Sequence, residues 1–398
     1  MSNNTTPSPA RTAARALGRM ASTGGCRLAE VVPGSRRLRS VPASVGDLTE
    51  EWLTGALCGE VPGARVLGFT ADGATSQTTS RATLDLTYND AGQAAGLPDR
   101  VFAKLTTTFQ QRLFMGLIRC IDGEPLFYCH LRGGLTVAGP QGYFGDVDPV
   151  SWRSIVLMED VATTQAATFL HSTSQVSRSD IESLLLGMAS FHGSMSNAQA
   201  LTDHAWLKRP IDHFHNTSAF LNMKRRVEVG VERSADVVPD VVQRNLGHLW
   251  TNLLSSMSAS SEGDLTLLHG DPHVGNTYRT GDGTVTLLDW QVCMKGSWAF
   301  DVAYAIGSAL TVEDRRAWED DLLAMYLDAF GAAGGVVPDL DTARRLYREN
   351  LMYPFHTWTT VLGRSALQPR MQEDDVSRLI IERLAHAIAD HGSYVAAP

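Results

Sequence analysis

Residues Leu268–Asp301 read LHGDPHVGNTYRTGDGTVTLLDWQVCMKGSWAFD, the densest run of chemistry-bearing side chains in a chain of 398 residues. His269-Gly270-Asp271 is followed by Asn276, five residues after the aspartate. Two short apolar runs, 264–268 and 284–288, read as strands, and Gly281-Asp282-Gly283 supplies the turn chemistry of a hairpin between Asn276 and Asp289. Asp289 then stands at the end of an apolar strand, and Asp301 opens a helical pattern over Phe300–Leu310. A loop between strands can aim Asp271, Asn276 and Asp289 into one place.

Phosphoryl transfer from ATP asks for such a set. A carboxylate beside the attacking hydroxyl orients or deprotonates it, oxygen ligands hold Mg²⁺ against the phosphates, and a cation holds their other side. Asp271 suits the first role. Asn276 and Asp289 are hard oxygen donors of the kind Mg²⁺ takes one or two of, beside phosphate and water. His269-x-Asp271-x-His273 also permits a metal-hydrolase reading, since alternate residues share a strand face. That reading leaves Asn276 and Asp289 without a purpose.

Outward from this stretch, the pattern separates into two parts. Residues 64–105 have the two-residue period of strands: Leu84, Leu86 and Tyr88 alternate with Thr83, Asp85 and Thr87, and Val101–Leu105 and Ser154–Met158 are further apolar runs. From about residue 161 the helical period dominates, as in Ile181, Leu184, Leu185 and Met188. Asp47–Glu50 and Ser179–Glu182 have the spacing of capping boxes at helix starts. Residues 1–40, rich in Ala, Ser, Thr, Gly and Arg, read as a disordered basic tail; the same makeup fits a transit peptide, which Pro7, Pro9 and Gly24-Gly25 oppose. The expected organisation is therefore a tail (1–40), a strand-rich nucleotide-binding lobe (41–160) and a helical lobe with the catalytic loop and acceptor site (161–398).

Composition narrows the partners. The net charge is −9, but residues 1–40 carry +6, which leaves −15 on the remainder. An acidic body repels nucleic acid and anionic lipid, so neither is expected as a partner. No apolar run approaches the roughly 18 residues of a membrane span. Five cysteines with no C-x-x-C spacing argue for a reducing compartment, and the expectation is cytoplasmic. Of 34 basic residues only Lys104, Lys208, Lys224 and Lys295 are lysines. In so Arg-biased a chain, a lysine on a strand points to a site that needs a compact ammonium.

The H-G-D-x-H-x-x-N stretch followed by D-W-Q resembles the aminoglycoside phosphotransferase-like superfamily of small-molecule kinases, and its choline-kinase-like and ecdysteroid-kinase-like branches most. Matching stretches run through most of residues 42–362. The resemblance implies an α+β, two-lobed protein-kinase-like fold, with a small antiparallel sheet in one lobe and a larger, mostly helical second lobe. It implies ATP and Mg²⁺ as cofactors and a small-molecule acceptor. By the same resemblance Asp271 is the catalytic aspartate, Asn276 and Asp289 are magnesium ligands, and Asp301 supports the catalytic loop; His269 and His273 read from the residues as two histidines supporting that polar loop. Lys104 contacts the nucleotide phosphates, Glu124 pairs with it, Glu159 and Val161 belong to the hinge that reads adenine, and Gly73 and Ser76 lie in the phosphate-covering loop. Two departures stand out. The phosphate loop GATSQTTS has a single glycine, and Pro125 directly follows Glu124, which places a helix start there.

A protein kinase is disfavoured, because only eleven residues separate Asp289 from Asp301 and no A-P-E follows. The acidic clusters Glu313-Asp314, Glu319-Asp320 and Glu373–Asp375 read as exposed helix faces. The remaining rival is a catalytically silent nucleotide-binding scaffold of the same fold. Such a protein typically loses one of the four functional positions, and all four are occupied here.

Overall fold

The computed structural model describes residues 17–26, 40–75, 79–365 and 370–395. They divide into two compact units: one runs to Gly134 and includes Pro140–Ala166, the other consists of Leu135–Gly139 and Ala167 onward.

The first unit is built on a five-stranded antiparallel sheet of β1 (Val66–Thr75), β2 (Ser80–Tyr88), β3 (Arg100–Leu105), β4 (Gly142–Asp148) and β5 (Arg153–Glu159), in the order β1-β2-β3-β5-β4. β2 buries Leu84, Leu86 and Tyr88 and turns its threonines and Asp85 outward, as its two-residue period requires. Its inner face packs with Val101, Ala103, Leu105, Ile155 and Leu157. Helix α1 (Glu50–Leu57) adds Leu53 to this core, and Trp52 meets Phe144 edge to face at 5.3 Å. The cap of α1 is Thr49, whose Oγ1 accepts from Trp52 N at 3.1 Å; the expected cap, Asp47, instead accepts from Ser44 Oγ at 2.6 Å. Helices α2 (Phe109–Leu117) and α3 (Gly123–His130) follow β3. α3 crosses β4 so closely that a Cβ on Gly145 would lie 2.4 Å from Pro125 O; only glycine permits that approach.

Part of the stretch expected to be a disordered tail is ordered: residues 17–26 are helical. Arg19 stacks on Trp152 at 5.1 Å and donates to Pro149 O, and Ser22 Oγ donates to Val150 O. Tertiary contacts, invisible in composition, hold this segment. Residues 1–16 and 27–39 lie outside the described residues.

The second unit is mostly helical, with α4 (Arg178–Ser194), α5 (Pro210–Leu221), α6 (Met223–Arg233), α7 (Leu246–Ala259), α8 (Ala299–Ala309), α9 (Val312–Ala332), α10 (Leu340–Asn350), α11 (Met352–Leu362) and α12 (Asp374–His391). The capping box of α4 is Ser177 with Asp180, two residues before the expected one. Every residue of α8 is buried, and α4, α10 and α12 surround it. Short strands sit among these helices: β6 (Thr168–Phe169), β8 (Thr277–Arg279) and β9 (Val285–Leu287) form one sheet, and β7 (Thr266–Leu268) pairs with β10 (Met294–Gly296). Among the described residues no helix is long and apolar enough to cross a membrane, and none of the cysteines forms a disulfide.

Candidate active site

In the second unit, β7 delivers the chain to His269, and Gly270 makes the turn. Its φ is +85°, and a Cβ there would lie 2.3 Å from Val292 O, so backbone angle and space both demand glycine. Asp301, in the first turn of the fully buried α8, does not cap its own helix. Its two oxygens accept the amides of His269 at 2.6 Å and Gly270 at 2.9 Å, which pins the loop to the helix. His192 of α4 braces Asp301 in turn, with Nε2 at 3.3 Å from Oδ2 and Nδ1 at 2.7 Å from Tyr326 OH. Burial, and then the Asp301 charge, hold the Tyr326 hydroxyl well above its ordinary pKa, so it stays protonated beside His192. His269 closes the other side of the loop, with Nε2 at 2.7 Å from Leu288 O and Nδ1 accepting from Asp271 N at 3.3 Å.

Asn276 joins this loop to Asp271. Its Nδ2 donates to Asp271 O at 2.9 Å and to Asp271 Oδ2 at 3.2 Å. Leu288 N donates to the Asn276 carbonyl at 2.7 Å, continuing the β8–β9 ladder, in which Thr277 faces Leu287. Asp289 is thereby one residue from the partner of Asn276, in the left-handed region at φ +64° that Asp tolerates better than most residues. With its amino group turned to Asp271, the Asn276 amide carries its Oδ1 on the opposite side. One amide oxygen and one carboxylate are hard donors of the number Mg²⁺ takes from protein, so the residues present fit that ion.

The histidines are engaged inside the loop. His273 is buried, and burial pushes its pKa below the usual histidine range. Its Nδ1 accepts from Gly275 N at 3.1 Å with Ser172 Oγ at 3.4 Å, and its Nε2 stands 3.7 Å from Asp271 Oδ2. The Nδ1 lone pairs of both histidines are taken by backbone amides. Among the described residues no three His, Cys, Asp or Glu side chains group to hold a metal, so the hydrolase-type triplet has no geometric basis.

Four residues that the sequence reading gave no part in the site belong to this network. Tyr304 donates its hydroxyl to Asp271 Oδ1 at 2.6 Å, Trp358 donates to that hydroxyl, and Ser172 and His192 hold the loop from outside. They come from four separate segments, and no spacing rule links any of them to Asp271.

In the first unit, Lys104 on β3 and Glu124 in the first turn of α3 form an ion pair at 2.7 Å, both side chains buried. Pro125 does not misdirect the glutamate. α3 begins at Gly123, so Pro125 occupies a first-turn position where its missing N–H costs nothing. Glu159 ends β5; its amide donates to Gln141 O, and its carboxylate accepts from Gln141 N, Thr164 Oγ1 and Gln165 Nε2. Val161 starts a short helix, Val161–Thr164, after Asp160, which accepts from Arg100 Nε at 2.7 Å. The Glu159 carbonyl and the Val161 amide are the backbone groups to which a hinge role would fall. Gly73 lies within β1 opposite Ala82, ahead of the β1–β2 connection; Ser76 lies outside the described residues.

Comparison with known proteins bears on the whole chain. A solved structure of a Ralstonia eutropha protein assigned as an aminoglycoside phosphotransferase superposes with a TM-score of 0.53 at 12% identity, covering 86% of this chain and 97% of that one. A Plasmodium vivax ethanolamine kinase gives a TM-score of 0.48 at 11% identity over 82% of this chain and 84% of its own. A microcompartment-associated aminopropanol kinase gives 0.49 at 14% identity over 82% and 92%. At these identities the first likeness shows a kinase-like fold. The fold is thus the α+β kind expected, a small antiparallel sheet with a larger helical remainder. No curated protein matches the sequence. The model of the phosphotransferase enzyme family matches residues 127–347, more than half of the chain and all of residues 269–301. The chain belongs to the phosphotransferase enzyme family.

Proposed function

We infer that this phosphotransferase is an ATP- and Mg²⁺-dependent kinase that moves the γ-phosphate to a hydroxyl or amine of a small molecule. The single observation that carries this reading is the hydrogen-bonded unit of Asp271 and Asn276, with Asp301 holding the loop amides beneath it. Asp271 accepts the hydrogen bond of the attacking group and receives its proton as the bond to the γ-phosphorus forms and the bond to the bridging oxygen breaks, releasing ADP. Asn276 fixes that carboxylate and offers its own carbonyl, with Asp289, to Mg²⁺. When bound, the ion neutralises charge on the phosphate oxygens. Lys104, held straight by Glu124, serves the nucleotide phosphates, and Gly73 and Ser76 are assigned to the segment that covers them. The Glu159 carbonyl and Val161 amide serve the adenine edge. Most of the rate enhancement then comes from positioning and fixed charge. Five cysteines with no C-x-x-C spacing fit a reducing compartment, which favours the cytoplasm.

Calorimetric titration with Mg-ATP, followed by ATP turnover over a panel of alcohols and amines, tests this reading. Saturable Mg-dependent binding together with acceptor-dependent turnover is expected. Binding without turnover on any acceptor would favour the silent scaffold, and absence of nucleotide binding would overturn the assignment altogether.

A further inference from the structure

Tyr304 OH donates to Asp271 Oδ1 at 2.6 Å, and the indole N–H of Trp358 donates to the same hydroxyl oxygen at 2.8 Å. Both side chains are buried. Trp358 lies in α11, beyond residue 347 where the family match stops, so this chain brings its C-terminal part to bear on the loop. It does so twice, because the Trp358 ring also packs edge to face on His273 at 5.2 Å.

A carboxylate on a short side chain turns freely unless each oxygen is held. Asn276 reaches only Oδ2, at 3.2 Å, while also bonding the Asp271 carbonyl. The short bond from Tyr304 is the contact that fixes Oδ1. A carboxylate has about four lone-pair sites, so two donors leave room for a third. We propose that Tyr304, held by Trp358, is a positioning residue for Asp271, locking one oxygen so that the other is presented to the acceptor. Burial and the neighbouring Asp271 charge keep the Tyr304 hydroxyl protonated, so towards that carboxylate it serves as a donor. Trp358 in turn prevents that hydroxyl from rotating away. The proposal rests on Asp271 being the acceptor-orienting carboxylate.

The test is a double-mutant cycle of Tyr304→Phe and Asp271→Asn on the full chain, read by kcat, by KM for ATP and by crystal structures. Tyr304→Phe should lower kcat about tenfold to 10²-fold, the cost of a misplaced reacting group, and leave KM for ATP unchanged. In the Asp271→Asn background the same change should cost almost nothing, because the group being positioned is gone. The crystal structure of Tyr304→Phe should show the Asp271 carboxylate in more than one orientation. Trp358→Phe, which keeps the tyrosine, should give a smaller loss of the same kind. An equal loss in both backgrounds, or a Tyr304→Phe structure with the carboxylate unmoved, would overturn the proposal. Full turnover in Asp271→Asn would instead overturn the catalytic assignment. The structural arm needs no turnover and decides the positioning question either way.

Discussion

The two units hold their functional groups by different means. In the first, Lys104 and Glu124 meet in a buried contact of opposite charges across a strand and a helix start. In the second, Asp271 is held by neutral donors, Asn276 and Tyr304, and its loop by the carboxylate of Asp301 on two backbone amides. In the proposed function, a lysine that meets phosphate has to be kept straight and charged, which a counter-ion does. A carboxylate that must meet an acceptor needs its orientation fixed without its charge being cancelled. Neutral hydrogen bonds do that, and a salt bridge would not.

This contrast can be broken experimentally. Asp271→Ala should lower kcat about 10³-fold while Mg-ATP affinity stays near that of the parent chain, measured by steady-state kinetics and calorimetry. Retained turnover would remove Asp271 from the chemistry. Glu124→Gln should destabilise the first unit by about 3 kcal/mol, since it leaves a buried ammonium facing a neutral amide. Hydrogen exchange localised to residues 100–130 would report it. Replacing Lys104 and Glu124 together by Met and Leu should recover most of that stability, showing that the cost lies in an uncompensated charge.

The second unit should also carry an acid response of its own. His356 is fully buried, with Nδ1 at 2.6 Å from Met352 O and Nε2 without a hydrogen-bond partner, and burial lowers its pKa from 6.5 to about 4. A histidine whose folded pKa is depressed gives up stability when the unfolded chain takes the proton first. Its contribution is therefore complete above pH 6.5 and is lost as pH falls toward 4, about 3 kcal/mol across that window. Denaturant titrations of the parent chain and of His356→Asn at several pH values should converge by about that amount on acidification, and parallel curves would refute the origin assigned here. The smallest effect is expected at Asp289. Asp289→Ala should abolish the gain in ATP affinity that Mg²⁺ confers, about 10²-fold, and unchanged Mg-ATP affinity would remove Asp289 from the ion.

The legible part of the site was its local part. His269, Asp271, Asn276 and Asp289 lie within 21 residues, and their order along a loop and hairpin is enough to suggest what they do. Lys104 was legible for a different reason, as one of four lysines among 34 basic residues. The capping boxes were each placed two residues away from the cap that forms. Several side-chain oxygens stand side by side there, and packing selects the one whose backbone is extended. Tyr304, Trp358, His192 and Ser172 left no mark. Each is an ordinary buried residue in its own segment, and they lie 33 to 109 residues from the partner by which each joins this network.

Periodicity and short-range order therefore marked a strand-rich part, a helical part and a set of candidate side chains, because alternation and loop spacing are properties of a few consecutive residues. How the Asp271 carboxylate is aimed, and by which neighbours, came only from the packing of α4, α8 and α11 around it. A hydrogen bond requires two atoms within about 3 Å and in line, and for residues far apart in the chain nothing short of the folded core sets that distance.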